Sequence, residues 1–421
     1  MTPPLMAASR QNRAWHQTRA LTWPIGLMSG LSLLLAAILL SGCGGGSTTT
    51  AGVGSGGTGL AGGTVSGFGS VIVDGIEYKD DSAQRSGDIK LGQQVRVRYS
   101  GNNVAENIDV LPQLIGPVTA ALDANGWMQV MGQWVRVVKT GDAVTRSNAT
   151  VLGGYASAAA IAFGDDLEAH GSWVLDASKS AYVLMATRLE KRAVAVDTVQ
   201  LGGVVQALAG NLFRLNQTGG SQVQAPALPQ GLANGELVQV LLPRSALGGV
   251  PLQASQVQRI SLTVPDVQGR AVRVSGLASA YDPGSRTVQV QGMRVTLDAG
   301  AAVDAIALAQ GAFVSLLLDP ASSTTTGLRA TSATVRGPVA APNNADLGAT
   351  HELKGNASGI DWSAPLLNFS LRGVSVQATT SVLDASCRGR SVGAATYVQV
   401  AGQLQAAGEV VTASRVTCSN P

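Results

Sequence analysis

From residue 63 onward the chain alternates apolar and polar side chains in short runs broken by glycine. A period of two predicts β-strands rather than helices. The clearest runs straddle an X-Gly step. Val71-Ile72-Val73 leads into Asp74-Gly75, and Met128-Gln129-Val130 into Met131-Gly132 and on to Val135 and Val137. Val288-Gln289-Val290 leads into Gln291-Gly292, then Val295 and Leu297; Phe369-Ser370-Leu371 leads into Arg372-Gly373, then Val376 and Ala378. Alternation on both sides of such a step predicts a tight hairpin, because the turn needs positive φ and glycine accepts it.

Three further pieces recur around the hairpins in a fixed order. An opening strand comes first, as in Gly63-Thr64-Val65-Ser66-Gly67 and Gly116-Pro117-Val118-Thr119-Ala120. After the hairpin, Gly92 leads to Val95 and Val97, Gly164 to Leu167 and Ala169, and Gly235 to Val238 and Val240. Gly311 leads in the same way to Val314 and Leu316, and Ala395 to Val398 and Val400. A closing run ends most units, as in Leu184-Met185-Ala186-Thr187 and Leu328-Arg329-Ala330-Thr331. Each unit is thus predicted to hold five short strands, with a Leu/Ala connection before the fourth, as at Ile306-Ala307-Leu308. This order resembles an oligonucleotide/oligosaccharide-binding (OB) type barrel, which closes on itself and leaves few open edges. The expected fold is all-β: about five tandem OB-like barrels. The third copy departs from the pattern, since Phe213-Arg214-Leu215-Asn216 lacks the X-Gly step. Propeller blades are shorter than these units, and an outer-membrane barrel needs longer strands and aromatic girdles.

The expected divisions are a leader at 1–42, a Gly/Ser/Thr tether at 43–62, and barrels at 63–112, 113–190, 199–262 and 268–336. A linker at 337–351 and a diverged fifth barrel at 352–421 complete them. The leader carries Arg10, Arg13 and Arg19, then an apolar stretch, then Leu40-Ser41-Gly42-Cys43. That ending resembles a bacterial lipobox, which makes Cys43 the acylated first residue of an exported lipoprotein. Gly44 in place of aspartate favours the outer membrane, facing periplasm or cell surface. Removing the leader takes away three arginines and leaves 26 acidic side chains against as many basic ones. With no net positive field and no dense basic cluster, nucleic acid is expected not to be a partner. In an oxidising compartment Cys387 and Cys418 are expected to form a structural disulfide, worth about 3–4 kcal/mol.

The opening Gly67-Phe68-Gly69-Ser70-Val71-Ile72-Val73-Asp74-Gly75 and the later Leu91-Gly92, Val95 and Val97 resemble the bacterial domain of unknown function 5666. The resemblance covers most of 63–336. It implies exported, often lipid-anchored β-repeat proteins, and it carries over no catalytic residue.

Chemistry-bearing patterns are few. Asp165, Asp166 and His170 could ligate a metal or run acid–base chemistry. The repeat alignment instead puts Glu168 and His170 on the outer strand face, where the first unit has Arg96 and Arg98, and that face reads as solvated. Beyond the leader only His170 and His351 remain as histidines, and no GxSxG elbow occurs. Trp127, Trp134, Trp173 and Trp362 could be stacking platforms or core caps; Trp127 and Trp134, on one hairpin, are the expected contact surface. No catalytic residue, metal or cofactor is expected. The reading is a non-catalytic, lipid-anchored envelope protein that binds or scaffolds through repeated modules, with an envelope protein or polysaccharide as partner. The rivals are a metal-dependent factor built on Asp165/Asp166/His170 and a saccharide binder using tryptophan.

Overall fold

The X-Gly steps fold as tight turns with both central residues at positive φ: 49° and 80° at Asp74-Gly75, 49° and 77° at Met131-Gly132, and 51° and 70° at Gln291-Gly292. Arg372 takes 51° at the matching place. In the computed structural model residues 58–421 are described, apart from 68–69, 139–149, 310, 322–326, 337–349, 358–359, 373, 392–395, 405–409 and 420–421. The leader, Cys43, most of the tether and nearly all of the 337–351 linker lie outside the described residues.

The second barrel shows the wiring most fully. Its strands are Leu114–Ala120, Trp127–Val130, Gln133–Val137, Asp166–Asp176 and Ala181–Lys191. The first pairs antiparallel with the second and the fourth, the third runs parallel to the fifth, and the fifth returns antiparallel to the fourth. The sheet is thereby closed. Barrel four repeats this with Val272–Asp282, Thr287–Val290, Met293–Leu297, Phe313–Leu318 and Leu328–Arg336. A helical turn at Ala305–Ala309 forms the expected Leu/Ala connection and buries Ala307 and Leu308. Barrel one closes through a parallel bridge between Lys79 and Val104. In barrel three the fifth strand is split into Leu252–Gln253, parallel to the third strand, and Gln256–Arg259, antiparallel to the fourth. In barrel five, Thr350–Ala357 and Leu366–Leu371 share no ladder among the described residues, so a seam lies between its first two strands. The chain is therefore all-β, a set of small OB-like barrels.

A recurrent contact explains how each hairpin is seated. In every barrel a glycine of the first strand lies beneath the residue at the hairpin turn. A Cβ on Gly116 would meet Met131 Sδ at 2.5 Å, one on Gly203 the Asn216 amide at 2.7 Å, and one on Gly276 Gln291 Nε2 at 3.0 Å. Gly355 would meet Arg372 Nε at 3.1 Å, and Gly63 lies under the Asp74 carboxylate, which accepts from Thr64 N–H. The third barrel, though it lacks the X-Gly step, keeps the arrangement through Asn216, itself at φ 67°.

Apolar positions of period two point inward and fill the barrels. Barrels one, four and five have their own cores. Barrels two and three share a single one, in which Trp173, Leu184, Phe213 and Val238 meet. The barrels do not hang separately on the chain. Leu60–Gly62 of barrel one pairs in parallel with Val272–Val274 of barrel four, and Leu114 and Ile115 of barrel two pair with Leu201 and Gln200 of barrel three. The first strand, Gly59–Gly67, begins inside the segment expected as tether, because Tyr99–Arg96 supply its Gly-rich backbone with ladder partners. Barrel five docks on barrel one. Arg372 Nη2 donates to Asp80 Oδ2 at 3.1 Å with both side chains buried, and Leu91 N–H donates to Arg372 O at 3.0 Å.

Candidate ligand-contact face

Strands two and three of barrel two set the geometry of the tryptophan pair. Met128, Val130, Val135 and Val137 point into the core. Period two then turns Trp127, Gln129, Trp134 and Arg136 outward. Trp127 pairs across the hairpin with Arg136, and Gln129 with Trp134. Asp123 fixes the start of the hairpin, its carboxylate accepting from Trp127 N–H at 2.8 Å. The two indoles meet edge to face, with centroids 6.3 Å apart and planes at 83°.

Two cations lie against the pair, Lys179 partly exposed and Arg136 buried. Lys179 Nζ lies 4.0 Å from the Trp134 ring centroid and 4.9 Å from that of Trp127. The Arg136 guanidinium carbon is 5.2 Å from the Trp127 ring. Lys179 sits on the turn between strands four and five, where its N–H donates to Asp176 Oδ1 at 3.0 Å. Each cation–π contact is worth about 0.5–1 kcal/mol at an exposed site. Lys179 therefore orients both rings. Two half-exposed indoles flanked by positive charge suit a ligand with flat faces, whether sugar or base. The face of strands two and three, with the turns beside it, is where OB-type barrels bind oligonucleotides and oligosaccharides. Sequence reasoning missed Lys179 and Arg136. Arg136 follows from the hairpin register; Lys179 becomes visible only once the barrel closes.

Trp173 and Trp362 are core residues. Trp173 is fully buried and its Nε1–H donates to Gln113 Oε1 at 2.9 Å; Trp362 packs in the core of barrel five.

The Asp165/Asp166/His170 constellation is not brought together. Asp165 pairs with Lys191 at 3.0 Å and accepts from Ala162 N–H. That backbone hydrogen bond chiefly holds its carboxyl below the ordinary value, with Lys191 assisting against desolvation. Asp166 takes a two-pronged contact from Arg244 of barrel three, at 2.7 and 2.9 Å. His170 is completely buried between barrels. Its Nδ1 accepts from Gln94 N–H of barrel one at 3.2 Å, and its Nε2 meets Glu168 Oε1 at 2.8 Å. Burial alone would raise the Glu168 carboxyl, but the hydrogen bond with His170, together with Arg192, brings it below its usual value. The solvated-face expectation thus fails for His170. An outer strand face in one barrel is an inner face of the assembly when a second barrel covers it. Among the described residues no group of three or more His, Cys, Asp or Glu side chains is placed to hold a metal.

Cys387 and Cys418 are joined as a disulfide across a sequence separation of 31. Packing of the barrels also creates clefts that no local pattern announces. One, of about 860 Å³, lies among barrels one, two and three, beside Glu168, Glu190 and Arg192; another, of about 590 Å³, lies between barrels one and five.

No family model matches the chain, and no curated protein matches it. Two solved structures align with about half of it. One is drosophila Unr CSD456, 14% identical, covering 50% of this chain and 100% of its own, with a TM-score of 0.14. The other is a multidomain protein with nucleic acid binding domains from Streptococcus pneumoniae, 9% identical, covering 51% of this chain and 72% of its own, with a TM-score of 0.15. The expectation that nucleic acid is not a partner is withdrawn on the geometry of the tryptophan face. It rested on a balanced formal charge, which is blind to a local feature such as Lys179 beside two indoles.

Proposed function

We propose that the chain is a non-catalytic, lipid-anchored cell-envelope protein that binds or scaffolds through its repeated β modules, with the Trp127/Trp134 face of barrel two as the contact surface. The observation that carries the contact surface is the paired, half-exposed indoles held by Lys179. Anchoring at Cys43 is supported by the lipobox-like Leu40-Ser41-Gly42-Cys43 behind a basic, apolar leader. The direct packing of barrels one to four supports a scaffold more than a flexible chain of beads: the contact face is presented on a body cross-linked by inter-barrel ladders.

The test is a titration of tryptophan emission with an N-acetylated oligosaccharide and, separately, a single-stranded oligonucleotide. Saturable quenching by either, lost in the Trp127→Ala/Trp134→Ala double variant, is the expected result, and the arm that quenches names the ligand class. Emission unmoved by both probes would overturn the contact face. Anchoring is read separately. Cys43→Ala should move the protein from the membrane to the soluble fraction, and an unchanged distribution would refute acylation there.

A further inference from the structure

One turn of barrel one is the meeting point of three barrels. Its residues Lys90 to Gln94 make a run of contacts with barrel two. Leu91 O accepts from Arg188 Nη1 at 3.2 Å, Gly92 O accepts from Thr187 Oγ1 at 2.6 Å, and Lys90 pairs with Glu190. Leu91 N–H donates at the same time to Arg372 O of barrel five. The run ends in the bond from Gln94 N–H to His170 Nδ1 at 3.2 Å, with the imidazole completely buried.

A backbone N–H can only donate, so Nδ1 must present a lone pair. The neutral ring then carries its proton on Nε2, where Glu168 Oε1 accepts it at 2.8 Å. A second proton has to enter at Nδ1, where it would face the Gln94 N–H, donor against donor. The imidazolium and the contact with barrel one therefore exclude each other. The charged groups around the ring pull in both directions. Glu168 favours the imidazolium, but its other oxygen accepts from Arg192 at 3.1 Å, which weakens that pull. Arg188 stands opposite His170 on the fifth strand, and its guanidinium is tied to Glu190, as is Lys90 of barrel one.

We propose that the junction of barrels one and two is an acid-opened latch, closed on neutral His170 and released when Nδ1 takes a proton. The ladder that joins barrel one to barrel four, Leu60–Gly62 with Val272–Val274, contains no histidine and no carboxylate. Acid thus frees barrel one from barrel two while its border with barrel four holds. The latch is separate from the tryptophan face and does not depend on what that face binds.

The test is hydrogen exchange of the full chain from about pH 8 to about pH 5, a range that spans the ordinary titration of histidine, corrected for the intrinsic pH dependence of amide exchange. Leu60 N–H, which donates to Ala271 O across the barrel-four border, is the internal reference. Protection at Gln94 N–H relative to Leu60 N–H is expected to fall about tenfold per pH unit below about pH 6.5, the slope of one coupled proton. His170→Gln keeps an acceptor for Gln94 N–H but takes no proton, and should hold the ratio constant. A ratio independent of pH in the wild type would overturn the latch. So would a fall that persists in His170→Gln, which would assign the response to Glu168 or Glu190. Imidazole ¹⁵N resonances of the wild type give a readout that needs no variant. His170 should carry a proton on Nε2 alone at about pH 8 and gain the Nδ1 proton over the range in which exchange changes. A proton on Nδ1 at the start, or a ring that stays neutral throughout, overturns the proposal even if His170→Gln folds poorly.

Discussion

Replacing Gly203 with alanine tests whether each hairpin is seated on a first-strand glycine. The new methyl carbon would stand 2.7 Å from both Oδ1 and Nδ2 of Asn216 and 2.9 Å from its Cγ. Asn216 is 4% exposed, so its side chain has no open space to move into. The amide would have to leave two partners: Val204 N–H, which donates to Oδ1 at 2.9 Å, and Gln133 Oε1 of barrel two, which accepts from Nδ2 at 2.5 Å. Two buried hydrogen bonds are worth about 0.5–1.5 kcal/mol each, and a polar atom left unmet adds about 1–3 kcal/mol, so the expected loss is about 2–6 kcal/mol. Gly62→Ala is the matched control. It lies in a first strand too, but nothing comes within 4 Å of its added carbon, and a gain of about 0.4–1 kcal/mol is expected from the stiffer unfolded chain. The assay is urea unfolding of the full chain followed by tryptophan emission, to which buried Trp173 in the core shared by barrels two and three contributes. In a double-mutant cycle, Asn216→Gly should reduce the cost of Gly203→Ala, with a coupling of about 0.5–3 kcal/mol. A Gly203→Ala loss below about 0.5 kcal/mol, the range of ordinary surface changes, would refute the seating idea. So would a Gly62→Ala loss of equal size.

Three further outcomes follow from the packing. Arg372→Ala leaves buried Asp80 without one of its two arginines and should cost about 3–5 kcal/mol of docking; hydrogen exchange at Leu91 N–H, which donates to Arg372 O, should accelerate, and unchanged exchange would count against docking through this pair. Reducing the Cys387–Cys418 bond opens a loop of 31 residues and should lower the stability of barrel five by about 3.5 kcal/mol in the chain-entropy estimate, seen as an earlier urea midpoint with reductant. For Glu168 and Glu190, burial is outweighed by His170 and Arg192 in the first case and by Arg188 and Lys90 in the second, so both folded carboxyls sit below their usual value. Their stabilisation is therefore complete above the unfolded carboxyl range and is lost as pH falls through the lower folded values; Glu168→Gln should flatten the acid limb of a midpoint-against-pH curve, and an unaltered limb would refute this.

The barrels were legible because their signals are local. An X-Gly step fixes a turn, alternation fixes a face, and the inward positions Val71, Met128, Leu167, Ala169 and Val290 are all buried as that alternation requires. The assembly was not legible, because period two says which residues share a face and not what covers the second one. Arg96 was read as solvated, yet its Nη2 donates to Ile260 O of barrel three at 2.8 Å, and His170 is sealed under Gln94. The turn of barrel three was hidden for another reason. Its loop is longer than an X-Gly step, and only the pairing of Gly203 with Asn216 shows that the same seat is in use. For the contact face, the two tryptophans could be read from their shared hairpin, whereas Lys179 arrives from a turn more than forty residues downstream.

The parallel ladder between Leu60–Gly62 and Val272–Val274 also governs timing. During synthesis the first barrel's outer edge leaves the ribosome roughly 210 residues ahead of its partner, a lag of about 10–40 s at 5–20 residues per second. An unpaired edge is a template for the wrong strand, and two such edges on neighbouring chains could join each other before the right partner exists. A nascent chain that stops short of the fourth barrel would carry that hazard permanently, so the first barrel matures last in one respect: its border is sealed by a segment made after two other barrels.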